Sequence, residues 1–436
     1  MDLSGAFCRA CPLVAHLLAG ACLLTVSTSL FAQGRPRQAP QVLVVESVTV
    51  VDAATGTLLP NRRIVIRGDS ISTVEPITAA APSDATRTVN GEGLFAIPGL
   101  VDHHVHLSAG MESTLERAVR GGVTLVQALA GDNRVAGYLA IAVQSGRLRG
   151  PEIAYASVMA GPEFFTDPRF INAGAGYAPG TSPWAQAVTA QTDLPLAVAA
   201  ARGSGAEVLK LYAMMDADLV AALTHEAHRQ GLRVVAHGTV FPARPSDLVA
   251  AGVDVLTHAP YLSWQGAATI TANQAWDRRD GPYATVPPNG PAMTGLVQAM
   301  ARAGTHLEPT LWVFNRAPAD SLLQRWANVL IRAADAARVP ILAGTDGLVD
   351  DDSTALPNIH KEMALLVASG LSPARALAAA TIVPARLMGR GNTHGRVAAG
   401  RVADLVLLTA NPLVDISATT RIRYVIRRGE ILERSR

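Results

Sequence analysis

Short runs of valine, isoleucine and leucine recur along this chain, and the material between them changes character twice. Over residues 41–88 the runs are closely set: QVLVVESVTVVD, a turn at AATGTLLPN, then RRIVIRGDSISTVEP. Runs of β-branched residues punctuated by Gly, Asn and Asp predict antiparallel strands. Residues 395–432 repeat that texture in GRVAAGRVADLVLL, a break at TANPLVD, and RIRYVIRRGEIL. Two β-rich ends flanking one central region predict a single small β-sandwich assembled from both.

Between them the pattern alternates. Apolar runs with the length of strands fall at 94–101, 123–128, 152–157, 207–211, 233–236, 254–257, 305–308 and 340–343. Alanine-rich stretches with helical spacing separate most of them, such as DADLVAALTHEAHRQG before the fifth. Eight short strands alternating with helices predict a (β/α)8 TIM barrel, an α/β fold with a parallel sheet. The expected division is a leader over 1–32, the sandwich over 33–95 and 391–436, and the barrel over 96–390. Two connections, 158–206 and 259–304, are long and rich in Gly, Pro and aromatics. Loops of that kind at the carboxyl end of a barrel usually shape a substrate pocket.

Composition narrows the picture. An apolar stretch over 13–31, then Ala32-Gln33-Gly34 and a basic, polar run, has the pattern of a secretory signal peptide. Export to the periplasm or the medium is therefore expected, with the leader either removed or kept as an anchor. All three cysteines (Cys8, Cys11, Cys22) lie in that leader, so no later cysteine can act as nucleophile, ligand or disulfide partner. No later run is apolar for long enough to span a bilayer, and a formal charge of +2 gives no pointer to nucleic acid. The expected partner is a small-molecule substrate; a homo-oligomer stays open. Of 37 basic residues only Lys210 and Lys361 are lysines. In a chain that uses arginine for ordinary positive charge, a lysine inside an apolar run points to chemistry that arginine cannot perform, because a buried lysine can lose its proton.

Candidate chemistry collects at the strand ends. PGLVDHHVHL sets His104 and His106 two residues apart, which on a strand turns both imidazoles to one side. His237 ends RVVAH, His258 ends VDVLTH, Lys210 ends AEVLK and Asp346 follows ILAGT. Five of these six are ordinary metal-ligand types, and all stand where a barrel strand hands over to its loop. His103 is expected to face away from the pair, as a packing or supporting residue. Tyr212, Arg169, Tyr177, Tyr261, Arg316 and His360 are candidates to line the mouth and hold substrate. Phe164, Phe165, Trp184, Trp264 and Trp276 suggest a partly aromatic pocket.

Taken in order, GLFAIPGLVDHHVHL, GGVTLVQAL, GAEVLKLY, HRQGLRVVAHG, AGVDVLTHAP, EPTLW, VPILAGTDG and GRVAAGRVADLVLL resemble the amidohydrolase superfamily, in its imidazolonepropionase-like and Xaa-Pro-dipeptidase-like branch. The resemblance implies that His104 and His106 bind the more buried of two metals and that His237 and His258 bind the other. Lys210, carbamylated by carbon dioxide, would bridge them, and Asp346 would bind metal and handle the proton of the attacking water. It implies zinc, as two ions or one per chain, with manganese or iron(II) acceptable to the same donors. The expected activity is hydrolysis of an amide (C–N) bond in a small molecule, N-acyl amino acid or dipeptide. Opening of a cyclic amide, lactone or imidazolone ring is the alternative, and a non-catalytic metal-binding barrel is the alternative of another class. The run His237-Gly238-Thr239 lacks the tyrosine that often follows this histidine in the dipeptidase-like branch, which counts against the dipeptidase reading and leaves the hydrolytic machinery intact.

Overall fold

The computed structural model describes residues 41–174, 176–270, 281–315, 321–350 and 355–432, so the expected leader and its cysteines lie outside the described residues. Both β-rich ends join one eight-stranded sheet. Its path runs Glu430–Leu432, Ile422–Arg427, Leu405–Leu408, Phe95–Pro98, Val42–Asp52, Thr57–Arg67 and Ser70–Pro76, with Arg87–Asn90 also paired to Val42–Asp52. Leu405–Leu408 runs antiparallel to Phe95–Pro98, from Leu405 opposite Pro98 to Leu408 opposite Phe95. The sheet rolls until Ser70 bridges to Val402, and its inner face closes over Val45, Ile64, Ile66, Ala96, Leu405 and Ile426. Alternation along each strand produces that one-sided core.

The central strands are Leu100–His106, Val123–Ala130, Glu152–Ala160, Val208–Leu211, Arg233–His237, Val255–Thr257 and His306–Glu308, each parallel to the next. All eight residues of Val123–Ala130 are buried, as expected of a parallel sheet covered on both faces. The eighth expected strand, 340–343, is shorter than the sequence suggested and pairs only through an isolated bridge between Leu307 and Ile341. The chain there still closes the ring. Leu342 N–H donates to Leu307 O on one side, while His103 N–H donates to Ala343 O and Asp346 N–H to His104 O on the other. Pro340 removes one donor at the start of this segment, which limits regular pairing. The result is a TIM-type barrel beside a sheet built from both ends of the chain.

Helices cover the barrel for local reasons. Ala217–Arg229 starts where Asp216 accepts the Leu219 N–H and carries His228 and Arg229 in its last turn, favourable ends for a helix dipole. It buries Val220, Leu223 and Ala227, an apolar stripe at 3–4 residue spacing. Among the described residues no helix is long and apolar enough to cross a membrane.

The barrel interior is layered. Val101, Leu125, Ala154 and Met388 pack together, and Leu129, Ala156, Val208, Val235, Val255 and Leu342 form a second cluster. Two residues further along the same strands stand Lys210 and His237, on the same face as Val208 and Val235. The polar layer therefore rests on an apolar floor.

At the opposite end, Arg390 donates from Nε to Glu152 (2.6 Å) and from both Nη atoms to Glu207 (2.8 Å each). Burial alone would raise both carboxyls, but the guanidinium outweighs it and holds them below their usual range. Replacing Arg390 by Met should cost about 1–2 kcal/mol of unfolding free energy, the partly exposed partners keeping the figure modest. Both folded-state pKa values are depressed, so the contribution is complete above the unfolded glutamate value of about 4.3 and fades as pH falls through the folded values. Urea titrations of the two proteins should therefore converge in acid; an equal gap at neutral and acid pH would contradict this assignment.

Candidate metal centre

All six strand-end candidates meet at the carboxyl end of the barrel. His104, His258 and Asp346 offer ligand atoms within 4.8 Å of one another. Asp346 Oδ1 lies 2.7 Å from His106 Nε2 and 3.6 Å from His104 Nε2. The His258 ring centroid is 5.1 Å from that of His104 and 4.5 Å from that of His237. Lys210 is wholly buried beside them, its Nζ donating to Thr257 Oγ1 at 3.0 Å. The backbone contributes too: His258 (φ 66°), Thr310 (φ 50°) and Asp346 (φ 55°) are all left-handed. That conformation is rare for non-glycine residues, and here it turns three strand ends at once.

Electrostatics keeps the buried imidazoles uncharged and brings the lysine toward its neutral form. Burial pushes His104, His237 and His258 well below the usual imidazole range, and the neighbouring Lys210 reinforces the shift in all three. They are neutral and hold lone pairs. Burial brings Lys210 down to about 8, against the pull of Glu308 and Asp346. Burial raises the Asp346 carboxyl, but His106, His258 and Lys210 together leave it below its usual range, an ionised acceptor.

Hydrogen bonds fix which nitrogens are available. The Thr310 hydroxyl donates to Pro309 O at 2.8 Å, so its oxygen accepts from His258 Nδ1–H at 2.7 Å. That leaves the His258 Nε2 lone pair facing the cluster. His104 Nδ1 is held by Glu308 Oε2 at 2.9 Å, and its Nε2 is buried with no hydrogen-bond partner among the described residues. A buried nitrogen without a partner, next to a carboxylate and a second imidazole, fits a cation.

Above the cluster opens a cavity of about 570 Å3, walled by Phe170, Tyr212, Tyr261 and Phe314 and reached by Arg169 and Asp132. Phe170 and Arg169 belong to the long connection after the third strand, and Tyr261 to the one after the sixth. Tyr212 and Tyr261 thus stand where the sequence suggested. Arg169 lines the cavity, but its guanidinium already grips Asp167 through Nε (3.0 Å) and Nη2 (2.7 Å).

Other expectations need correction. His360 does not reach the cavity; it is buried behind the barrel, between Thr419 Oγ1 (3.0 Å) and Gly121 O (2.9 Å). Tyr177 packs edge-on against Trp184 rather than lining the cavity. The aromatics singled out from sequence sit behind the wall: Phe164 stacks on Tyr212, and Trp264 packs on Phe241. Arg316 and Trp276 lie outside the described residues. His103 does not point away, because the strand slips register between Asp102 and Val105 and strict alternation fails there. Its Nδ1 meets Glu308 Oε1 at 2.7 Å.

Glu308 and Asp102 were missed by the sequence reading. Asp102 accepts from the backbone N–H of His104 (3.2 Å) and Thr345 (3.0 Å) and from the Thr345 hydroxyl (2.7 Å). The available signal was a carboxylate ending an apolar strand, Glu308 after Thr305-His306-Leu307, in step with the histidines that end the other strands.

A barrel with histidines and an aspartate gathered at its carboxyl end defines a class of strand-end metal site. The chain matches the Amidohydrolase family over residues 95–432 and belongs to that family, whose hydrolases act on carbon–nitrogen bonds. Its structure is similar to that of a Xaa-Pro dipeptidase with bound methionine (TM-score 0.70, 20% identity, 90% of this chain and 100% of that one). It is also similar to an ochratoxinase of A. niger (TM-score 0.68, 20% identity, 90% of this chain and 95% of that one). In sequence it is 36% identical to an adenine deaminase of Edwardsiella ictaluri (strain 93-146) over 72 residues, 16% of this chain and 12% of that protein.

The cluster also dictates a glycine. A Cβ on Gly344 would lie 2.5 Å from Glu308 Oε1 and 2.7 Å from His104 Cβ. Gly344→Ala should destabilise by about 1–3 kcal/mol through overpacking, read as a lower urea midpoint. Unchanged stability would mean that these side chains have room the structure denies them.

Proposed function

We propose that this chain is a metal-dependent hydrolase that cleaves the amide bond of a small molecule carrying a bulky apolar group, such as an N-acyl amino acid or dipeptide. The observation that carries this reading is the meeting of His104, His258 and Asp346 within 4.8 Å at the floor of a cavity walled in part by Phe170, Tyr212, Tyr261 and Phe314. His104 and His106 would hold one ion and His237 and His258 a second, with Asp346 a further ligand and zinc the first candidate. Lys210 would bridge the two as its carbamate: the neutral amine adds carbon dioxide and releases a proton, and an amine brought to about 8 by burial supplies that neutral form. Bound there, the ions would bring the pKa of a water toward neutral and polarise a carbonyl.

The remaining steps belong to side chains. Asp346, ionised and facing the cavity, accepts the proton of the attacking water and returns it to the leaving nitrogen. Phe170, Tyr212, Tyr261 and Phe314 bury the apolar part of the substrate and keep competing water away. Because Arg169 is already neutralised by Asp167, apolar contact rather than charge is the main grip. The similar structures are named for different substrates, so the substrate class is argued from this cavity alone.

Dialysis against a chelator should abolish cleavage of N-acyl amino acids with aromatic acyl groups, and zinc or manganese should restore it. Asp346→Asn should lower kcat by about 10²–10⁴-fold with the fold intact by circular dichroism. A rate untouched by chelation would end the metal reading, while cleavage of lactones or cyclic ureides in place of amides would shift it to ring opening. We also propose that residues 1–32 direct export. N-terminal sequencing of protein recovered outside the cytoplasm should begin at Gln33; protein kept in the cytoplasm would refute export.

A further inference from the structure

One carboxylate behind the cluster serves two adjacent histidines. Glu308 is fully buried, with Oε1 at 2.7 Å from His103 Nδ1 and Oε2 at 2.9 Å from His104 Nδ1. Neighbouring residues on a regular strand point to opposite faces, so a shared partner requires the register slip found at this place. The arrangement also requires a missing side chain, since any Cβ on Gly344 would strike both Glu308 and His104. Elsewhere in the cluster the Nδ1 partners are not carboxylates: His258 Nδ1 meets Thr310 Oγ1 at 2.7 Å, and His237 Nδ1 meets Thr239 Oγ1 at 2.7 Å and accepts the Thr239 backbone N–H at 3.3 Å. A carboxylate is a stronger acceptor than a hydroxyl, and it makes the opposite nitrogen of the ring more basic.

We propose that Glu308 is the positioning residue of the metal centre: it accepts hydrogen bonds from Nδ1–H of His103 and of His104, aims His104 Nε2 into the site, and makes the His104/His106 half the tighter-binding half. His103 is then a brace, filling the second oxygen of Glu308 so that the carboxylate cannot rotate away from His104. This rests on reading the cluster as a metal centre.

The test is zinc affinity, measured on the purified full chain by competition with a chromophoric chelator. Wild type should bind one equivalent more tightly than any other. Glu308→Gln, which keeps the shape but replaces one of the two acceptor oxygens by an amide NH2, should weaken that equivalent about 10–100-fold, and Thr310→Val should leave it unchanged. Folded Glu308→Gln protein with wild-type affinity would overturn the role of Glu308. So would a Thr310→Val protein whose tightest equivalent is the one lost. A wild type that binds no zinc would instead remove the metal reading itself. If Glu308→Gln does not fold, nitrogen-15 histidine spectra of zinc-free wild type give an independent answer. His104 should carry its proton on Nδ1, and a proton on Nε2 would refute the proposal.

Discussion

Lys210, His104, His237 and His258 are packed away from water over an apolar floor, and a buried cation without a partner is expensive. The rest of the centre follows from that desolvation. It holds the imidazoles neutral, brings the lysine amine toward its neutral form, and leaves Asp346 as the ionised group where cations can accumulate. The floor itself comes from strand parity: Val208 and Val235 are apolar so that Lys210 and His237, one step along the same face, can be dry. A barrel core and a reactive layer are thus the same strands read two residues apart.

Dry polar groups must be held by oxygen partners, and these decide how each side chain points. Thr257 receives Lys210, Thr310 receives His258, and Glu308 receives His104. Further out, Glu362 accepts the backbone N–H groups of Leu311 and Trp312, anchoring the chain just past the left-handed Thr310. Orientation is passed outward in this way from the rings to elements that never meet a substrate.

Much of this was legible in the sequence because periodicity and position carry it. Alternating apolar runs gave the barrel, matching β-rich ends gave the second sheet, and ionisable residues ending the runs gave His104, His106, Lys210, His237, His258 and Asp346. What stayed hidden depends on contacts distant in sequence or on departures from regular geometry. Glu308 lies 204 residues from His104, and the register slip that lets His103 join it leaves no mark in hydrophobic patterning. His360 misled because nearness in sequence to Asp346 placed it near the cavity, whereas its helix turns it toward Gly121 and Thr419. Tyr212 and Tyr261 line the pocket as the sequence suggested, but Phe164, Phe165 and Trp264 do not, and Phe170 and Phe314 stand there instead, because a large ring can line a wall or brace it from behind.

Only Gly99 separates Phe95–Pro98, a strand of the rolled sheet, from Leu100–His106, the first strand of the barrel. That glycine lies against Thr124, where a Cβ would come within 2.1 Å of the hydroxyl, and its N–H donates to Asp404 O. Such a joint has no slack. The sheet on which Leu405–Leu408 closes is in effect the mounting of the histidine pair, so both ends of the chain must be in place before His104 and His106 have a fixed bearing. The cavity opens at the other end of the strands, among the long connections that carry Phe170 and Tyr261, so what shapes the mouth is separate from what mounts the histidine pair.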